Sequence, residues 1–339
     1  MTSVRSGGPS DPGTGVRLAG TAMVVPEAVL TNQDLAQRVD TSDAWIVQRT
    51  GIRERHVAGP EQDTVSLASD ALRAALDNAG WDPPDLDLVL VATITPGMLC
   101  PSVAARVVDR VGATPAGAMD LAAACAGFLY GLNLADAMIR SGSARRVAVV
   151  GSETMTRAVD PTDRRTCILF GDGAGAALFE ADPDPDRGCR FQAMRSAGEN
   201  WAALYLPEHD DHVPEDRSHF NGTLGTLQMN GREVFKIAVH ATESIIDEAL
   251  EKSGLTAADL SMVIAHQSNA RILESTRRRL GLPADKLYVN IDRYGNTSAA
   301  SIPIGLHELR SAGRVKEGDW VLFTGVGGGM CWGASTWKL

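Results

Sequence analysis

The chain has 339 residues, 44% hydrophobic and 22% charged, a composition that excludes disordered and fibrous classes. Its 34 Gly and 16 Pro follow no G-x-y period, and no apolar run approaches the roughly 18 residues of a membrane-spanning helix. The formal charge of −10 repels nucleic acid phosphates, and equally any acidic carrier unless a local basic patch overrides it.

In chain order, residues 1–15 (MTSVRSGGPSDPGTG) lack an apolar h-region and read as a floppy tail rather than a secretory signal. A first half over 16–182 has apolar runs at 86–93 and 146–150, which read as buried strands. Segments of helical period lie between and around them at 66–79 and 126–141. The Pro- and Asp-rich stretch 181–188 (ADPDPDRG) breaks both patterns and reads as a linker. In a second half over 183–339, residues 208–221 form a polar insertion expected on the surface, 233–253 a helix, and 262–265 and 320–324 buried strands. Apolar strands alternating with helices specify an α/β fold with parallel strands covered on both faces. Each half closes on a strand, a Gly-rich stretch and a further strand, which hints at an internal duplication.

The five cysteines (Cys100, Cys125, Cys167, Cys189 and Cys331) are odd in number, scattered, and without a C-x-x-C, so a reduced cytoplasmic protein with no disulfide framework and no thiolate zinc site is expected. His209, His212 and His219 with Asp210 and Asp211 lack regular ligand spacing, and no metal is expected. GDGAG at 171–175 lacks dinucleotide-fingerprint spacing. Gly327–Gly329 lacks the Lys-Ser/Thr of a phosphate loop and reads as a tight turn offering a backbone N–H.

Cys125 follows a strand-like approach and a run of small residues, with a helix beginning at about the thiol. That placement predicts a pKa lowered by the helix dipole, although a buried structural cysteine satisfies the same pattern. His266, in MVIAHQSN, ends an apolar strand, where α/β proteins place functional groups and where a structural histidine is equally at home. Asn296, in DRYGNTSAAS, sits after a glycine in a turn. Cys, His and Asn together are what a thioester-handling nucleophilic site needs. The cluster Arg271, Arg277, Arg278 and Arg279 is either a solvated helix face or a dock for an acidic partner.

These residues, with TNQDLAQRVDTSDAWIVQRTGIRERH (31–56), DLAAACAGF (120–128), DPTDRRT (160–166), FGDGAGAA (170–177), HQSN (266–269), YGNTSAAS (294–301) and GGG-x-x-WG (327–333), make the chain similar to the β-ketoacyl-acyl-carrier-protein synthase III family over about 18–339. The resemblance implies a thiolase fold of five α-β-α-β-α layers in two similar halves, and a homodimer. It implies Cys125 as the acylated nucleophile with His266 and Asn296 completing the triad, and an oxyanion hole of the Cys125 and Gly328 N–H groups. It also implies coenzyme A contacts at Trp45, Arg49, Arg164 and Asn269, and a carrier-protein dock at Lys236, Arg271, Arg278 and Arg279. Acyl-CoA and malonyl-carrier protein would be the substrates, with no resident cofactor.

Several positions depart from the family pattern. Val326 stands where Phe is common, Cys100 where a bulkier residue often closes the acyl pocket, and Ser268 where Ala is the signature. Met330-Cys331 also differs from the usual Phe-containing sequence. With Met155, Phe170, Leu204 and Leu227 as further pocket candidates, a starter larger than acetyl is expected. The alternatives are a relative that transfers its acyl group to a carrier, alcohol or amine without decarboxylation, a non-catalytic partner subunit, against which Cys125 argues, and a Rossmann-type nucleotide-binding protein, for which the glycines have the wrong spacing.

Overall fold

A computed structural model describes residues 14–217 and 219–339, so residues 1–13 of the expected tail lie outside the described residues. The first sheet contains β1 (Gly15–Val24), β2 (Leu88–Ala92), β3 (Gly117–Leu121), β4 (Arg146–Thr154) and β5 (Asp172–Asp182), in the order β1-β5-β4-β2-β3. The second contains β6 (Gly188–Ser196), β7 (Met262–Ala265), β8 (Trp320–Gly327) and β9 (Cys331–Lys338), in the order β6-β9-β8-β7. The pairings repeat as well: β1/β5 and β6/β9 are antiparallel, as are β5/β4 and β9/β8, while β4/β2 and β8/β7 are parallel. Leu287, bridged in parallel to Val263 of β7, stands where β3 stands in the first sheet. The chain passes from one sheet to the other across residues 183–187, within the stretch read as a linker.

Hydrophobic alternation builds the layers. Along β2, Leu88, Leu90 and Ala92 join a core between the sheets, while Val89 and Val91 join one on the outer face. Two helices, α1 (Thr64–Ala79) and α2 (Val103–Val111), cover that outer face. The inner core holds α3 (Gly127–Arg140) and α6 (Ser301–Ser311), sandwiched between the two sheets. On the far side, α4 (Gly231–Ser253) and α5 (Ala270–Arg279) cover the second sheet. The result is the five-layered α-β-α-β-α thiolase architecture. Its consequence for function is that α3 and α6, one from each half, start beside each other at the centre of the molecule.

Candidate active site

Both central helices are entered through a single 3-10 turn, Ala124–Ala126 before α3 and Ser298–Ala300 before α6. Four described non-glycine residues have positive φ. Three of them surround this point: Ala124 (φ 46), Ser298 (φ 49) and Met330 (φ 50). Such backbone costs on the order of 1–3 kcal/mol per residue and persists only where surrounding packing imposes it. Cys125 occupies the first turn and is 7% exposed. Gly327, at the end of β8, lies against it so closely that a Cβ there would stand 2.9 Å from the Cys125 nitrogen and 2.8 Å from the Ala123 carbonyl. That approach brings the Gly327–Gly328 backbone up to the nucleophile.

Asn296 is fixed by backbone on both sides: its N–H donates to the Leu169 carbonyl (2.8 Å), and its own carbonyl accepts from Gly171 N–H (3.1 Å). Its side-chain Oδ1 accepts from Ser298 N–H at 2.8 Å, which leaves the Nδ2 donors free to face the cavity. His266, one residue beyond β7, has its Nδ1 2.7 Å from Ser301 Oγ. The Gln267 N–H donates to that same oxygen (3.3 Å), and in the tautomer in which the Ser301 hydroxyl donates to Nδ1 the imidazole carries its proton on Nε2. Two N–H donors, one from a carboxamide and one from an imidazole, therefore face the space beside the thiol.

The electrostatics correct one expectation. Burial pushes the Cys125 thiol up from 9 to about 12, rather than down, although a hydrogen bond with Ser298 acts in the other direction. That rise amounts to roughly 4 kcal/mol. A helix N-terminus supplies about 2 kcal/mol at best, so the dipole of α3 cannot by itself offset it. Burial alone depresses His266 to about 3, so the ring is neutral near pH 7.

Cys125, His266 and Asn296 open onto one cavity of about 1030 Å³. Two family patterns match the chain: 3-oxoacyl-[acyl-carrier-protein] synthase III over residues 119–198 and its C-terminal counterpart over 250–339. The β-ketoacyl-[acyl-carrier-protein] synthase III of Sinorhizobium medicae is 45% identical over 319 residues, covering 93% of this chain and 96% of that protein. The chain belongs to the β-ketoacyl-[acyl-carrier-protein] synthase III family. Among solved structures of synthase III proteins, that from Aquifex aeolicus is 42% identical with a TM-score of 0.89, covering 96% of this chain and all of that one. The priming β-ketosynthase of the R1128 polyketide pathway is 34% identical with a TM-score of 0.88, covering 99% and 98%.

Within this synthase III fold the remaining expected residues fall as follows. Met155, Phe170, Leu204, Leu227 and Val326 line the cavity. Cys100 does not line the cavity of its own chain; it is exposed, and its neighbour Leu99 lines the cavity instead. Trp45 and Arg49, on the helix Asp43–Thr50, sit at the mouth with Arg164. The Arg164 guanidinium lies 5.0 Å from the Trp45 ring centre, and an adenine between them needs roughly 7 Å, two stacking contacts. A base would enter between them only with Arg164 displaced. Asn269 lines the cavity but caps α5 through Oδ1 and donates to the Arg49 carbonyl at 3.1 Å, which ties the two sides of the mouth together.

Of the basic residues, Arg271 faces the mouth over Phe235, whereas Arg278 is paired with Glu274 (2.6 Å) and Arg279 with Asp247 (2.7 Å). No ion pair is recorded for Lys236 among the described residues. The 208–221 insertion does more than cover surface, since Glu208 and His212 form part of the mouth. Among the described residues no group of three or more His, Cys, Asp or Glu is placed to hold a metal.

Proposed function

We propose that the enzyme moves an acyl group from coenzyme A onto Cys125 and condenses it with malonyl-carrier protein, with loss of CO₂, to give a β-ketoacyl product. The observation that carries this reading is the meeting of a buried thiol with two fixed N–H donors at one cavity floor. In the first half-reaction the thiol sulfur attacks the thioester, and backbone N–H groups of Cys125 and Gly328 receive the oxyanion. In the second, His266 and Asn296 donate to the malonyl thioester oxygen. Loss of CO₂ places negative charge on that oxygen, so both hydrogen bonds strengthen as the barrier is climbed. The resulting carbanion attacks acyl-Cys125, and the two half-reactions through one covalent enzyme give ping-pong kinetics. The names of the relatives, β-ketoacyl synthases and a priming ketosynthase, support the same chemistry.

The apolar lining supports a starter larger than acetyl: branched, longer or cyclic. Coenzyme A enters as substrate, with no resident cofactor. The carrier docks at the mouth through Arg271 and its neighbours, and two copies associate. The test is intact-mass detection of acyl-Cys125 after exposure to a panel of acyl-CoAs, followed by CO₂ release from malonyl-carrier protein. Acyl loading without CO₂ release would reassign the enzyme as a simple acyltransferase. Val326→Phe is expected to shift loading toward acetyl-CoA, and an unchanged preference would remove Val326 as the gate.

A further inference from the structure

The Asn296 amide is one of the two donors that the proposed decarboxylation uses, and the hydrogen bonds that aim it lead back to a carboxylate of the other half. Glu153, near the end of β4, is fully buried. Its Oε2 accepts from Thr95 Oγ1 (2.6 Å), Thr93 Oγ1 (2.9 Å) and the Ile94 N–H (3.1 Å), three donors of the loop that follows β2. A further bond, from the Thr154 N–H to Thr95 Oγ1 (2.9 Å), fastens that loop to β4. The other oxygen, Oε1, accepts from Ser298 Oγ at 2.8 Å, and the Ser298 N–H donates to Asn296 Oδ1 at 2.8 Å. One side chain thus spans two walls of the cavity, which Thr93 and Ile94 line from the first half and Asn296 from the second. The span matters because Ser298 stands at φ 49, a conformation that persists only where its surroundings impose it.

We propose that Glu153 is a positioning residue for the second half-reaction: by reaching from the 93–95 loop to Ser298 it holds the turn that aims the Asn296 amide at the malonyl thioester oxygen. This deepens the function proposed above and rests on Asn296 donating during decarboxylation. A donor serves an oxygen that gains charge only if it is already aimed when the charge develops, and a misplacement of about 1 Å can cost 10²-fold in rate. Glu153 does not line the cavity, so its effect on CO₂ release passes through the groups it holds, of which Asn296 is the one that donates to substrate. Reach, not charge, is what this role requires. Glutamine has the same reach: its carbonyl accepts from the three donors of the loop while its NH₂ donates to Ser298 Oγ. Aspartate keeps the charge but is one methylene shorter, and it cannot hold both ends.

The test measures two rates in the full chain: single-turnover acyl loading of Cys125, read by intact mass, and CO₂ release from malonyl-carrier protein by the loaded enzyme. Glu153→Asp is expected to slow CO₂ release ~10-fold at an unchanged KM for malonyl-carrier protein, less than the ~100-fold of removing the donor in Asn296→Ala. Acyl loading, which does not use the amide, should fall less than CO₂ release, and Glu153→Gln should stay near the parent in both. In the Asn296→Ala background no amide is left to aim, so there Glu153→Asp should cost no more than ~2-fold. Ser298→Ala removes the bridging hydroxyl and leaves the carboxylate; it should slow CO₂ release likewise, lose that effect in the Asn296→Ala background, and decides the matter if Glu153→Asp fails to fold. Equal losses in both half-reactions, a full loss in the Asn296→Ala background, or Glu153→Gln slowed as much as Glu153→Asp would each overturn the inference while the parent still releases CO₂. A parent that loads acyl groups and releases no CO₂ refutes the proposed function, and this inference with it.

Discussion

His266 is 5% exposed, and burial is the one cause that holds its imidazole near pH 3. The unfolded ring titrates near 6.5, so between these values the unfolded chain binds one more proton than the native one, and stability must fall as the pH falls through that window. The loss attributable to this ring is about 1.4 kcal/mol for each pH unit below 6.5. His266→Gln should therefore show a shallower decline in unfolding free energy than the parent between pH 6.5 and 4.5, measured by denaturant titration; parallel declines would show that the ring titrates normally. Cys125, His266 and Asn296 were legible as residue types at strand ends and turns. Glu153, Ser298 and Ser301 were not assigned roles, although two of them lie inside the YGNTSAAS motif. Their partners stand 145 residues away for the Ser298–Glu153 pair and 35 for Ser301–His266, beyond any local pattern. The upward push that burial gives the thiol is hidden for the same reason: the start of a helix is visible locally, and burial by the other half of the chain is not.

Local signals located the elements well and their ends unevenly. Helix α1 begins two residues earlier than its apolar period because Asp63 and Ser66 form a reciprocal cap, and it ends at Ala79 because Gly80 adopts the left-handed conformation. Strands β4 and β8 run further than expected, to Thr154 and Gly327, because glycines that resemble turn signals sit inside strands. Gly151 is the clearest case. A Cβ there would stand 2.2 Å from the Ala299 carbonyl, so the residue exists to let the turn before α6 rest on β4. Gly151→Ala must push that turn outward, and overpacking of this kind costs roughly 1–3 kcal/mol. Since Ala299 adjoins Ser298, the same displacement moves the donor that orients Asn296. A lowered thermal midpoint together with slower CO₂ release is the expected outcome, and a parent-like midpoint would mean that the contact relaxes without strain.

Across the whole molecule, the charge of −10 is interrupted at the cavity, which Arg271 lines together with Arg49, Arg165 and Arg232, while Arg278 and Arg279 are paired with acidic neighbours. The opposite concern is the edge of the first sheet. Among the described residues β3 pairs with β2 on one side alone, and its residues 117–119 are exposed, Met119 at 41%. In the adjoining loop Met98 is 44% and Leu99 84% exposed, although Leu99 also lines the active-site cavity. An unpaired edge carrying large apolar side chains is a template for a further strand, and monomeric proteins usually blunt such edges with charge. A second copy of this chain meets the requirement, since β3 laid antiparallel on its own copy would extend the sheet through a two-fold axis and bury both sets of methionines. Met119→Lys places like charges opposite each other across that axis. Sedimentation velocity should then show the variant shifting from dimer toward monomer with its fold retained by circular dichroism, and a parent that already sediments as a monomer would refute the pairing.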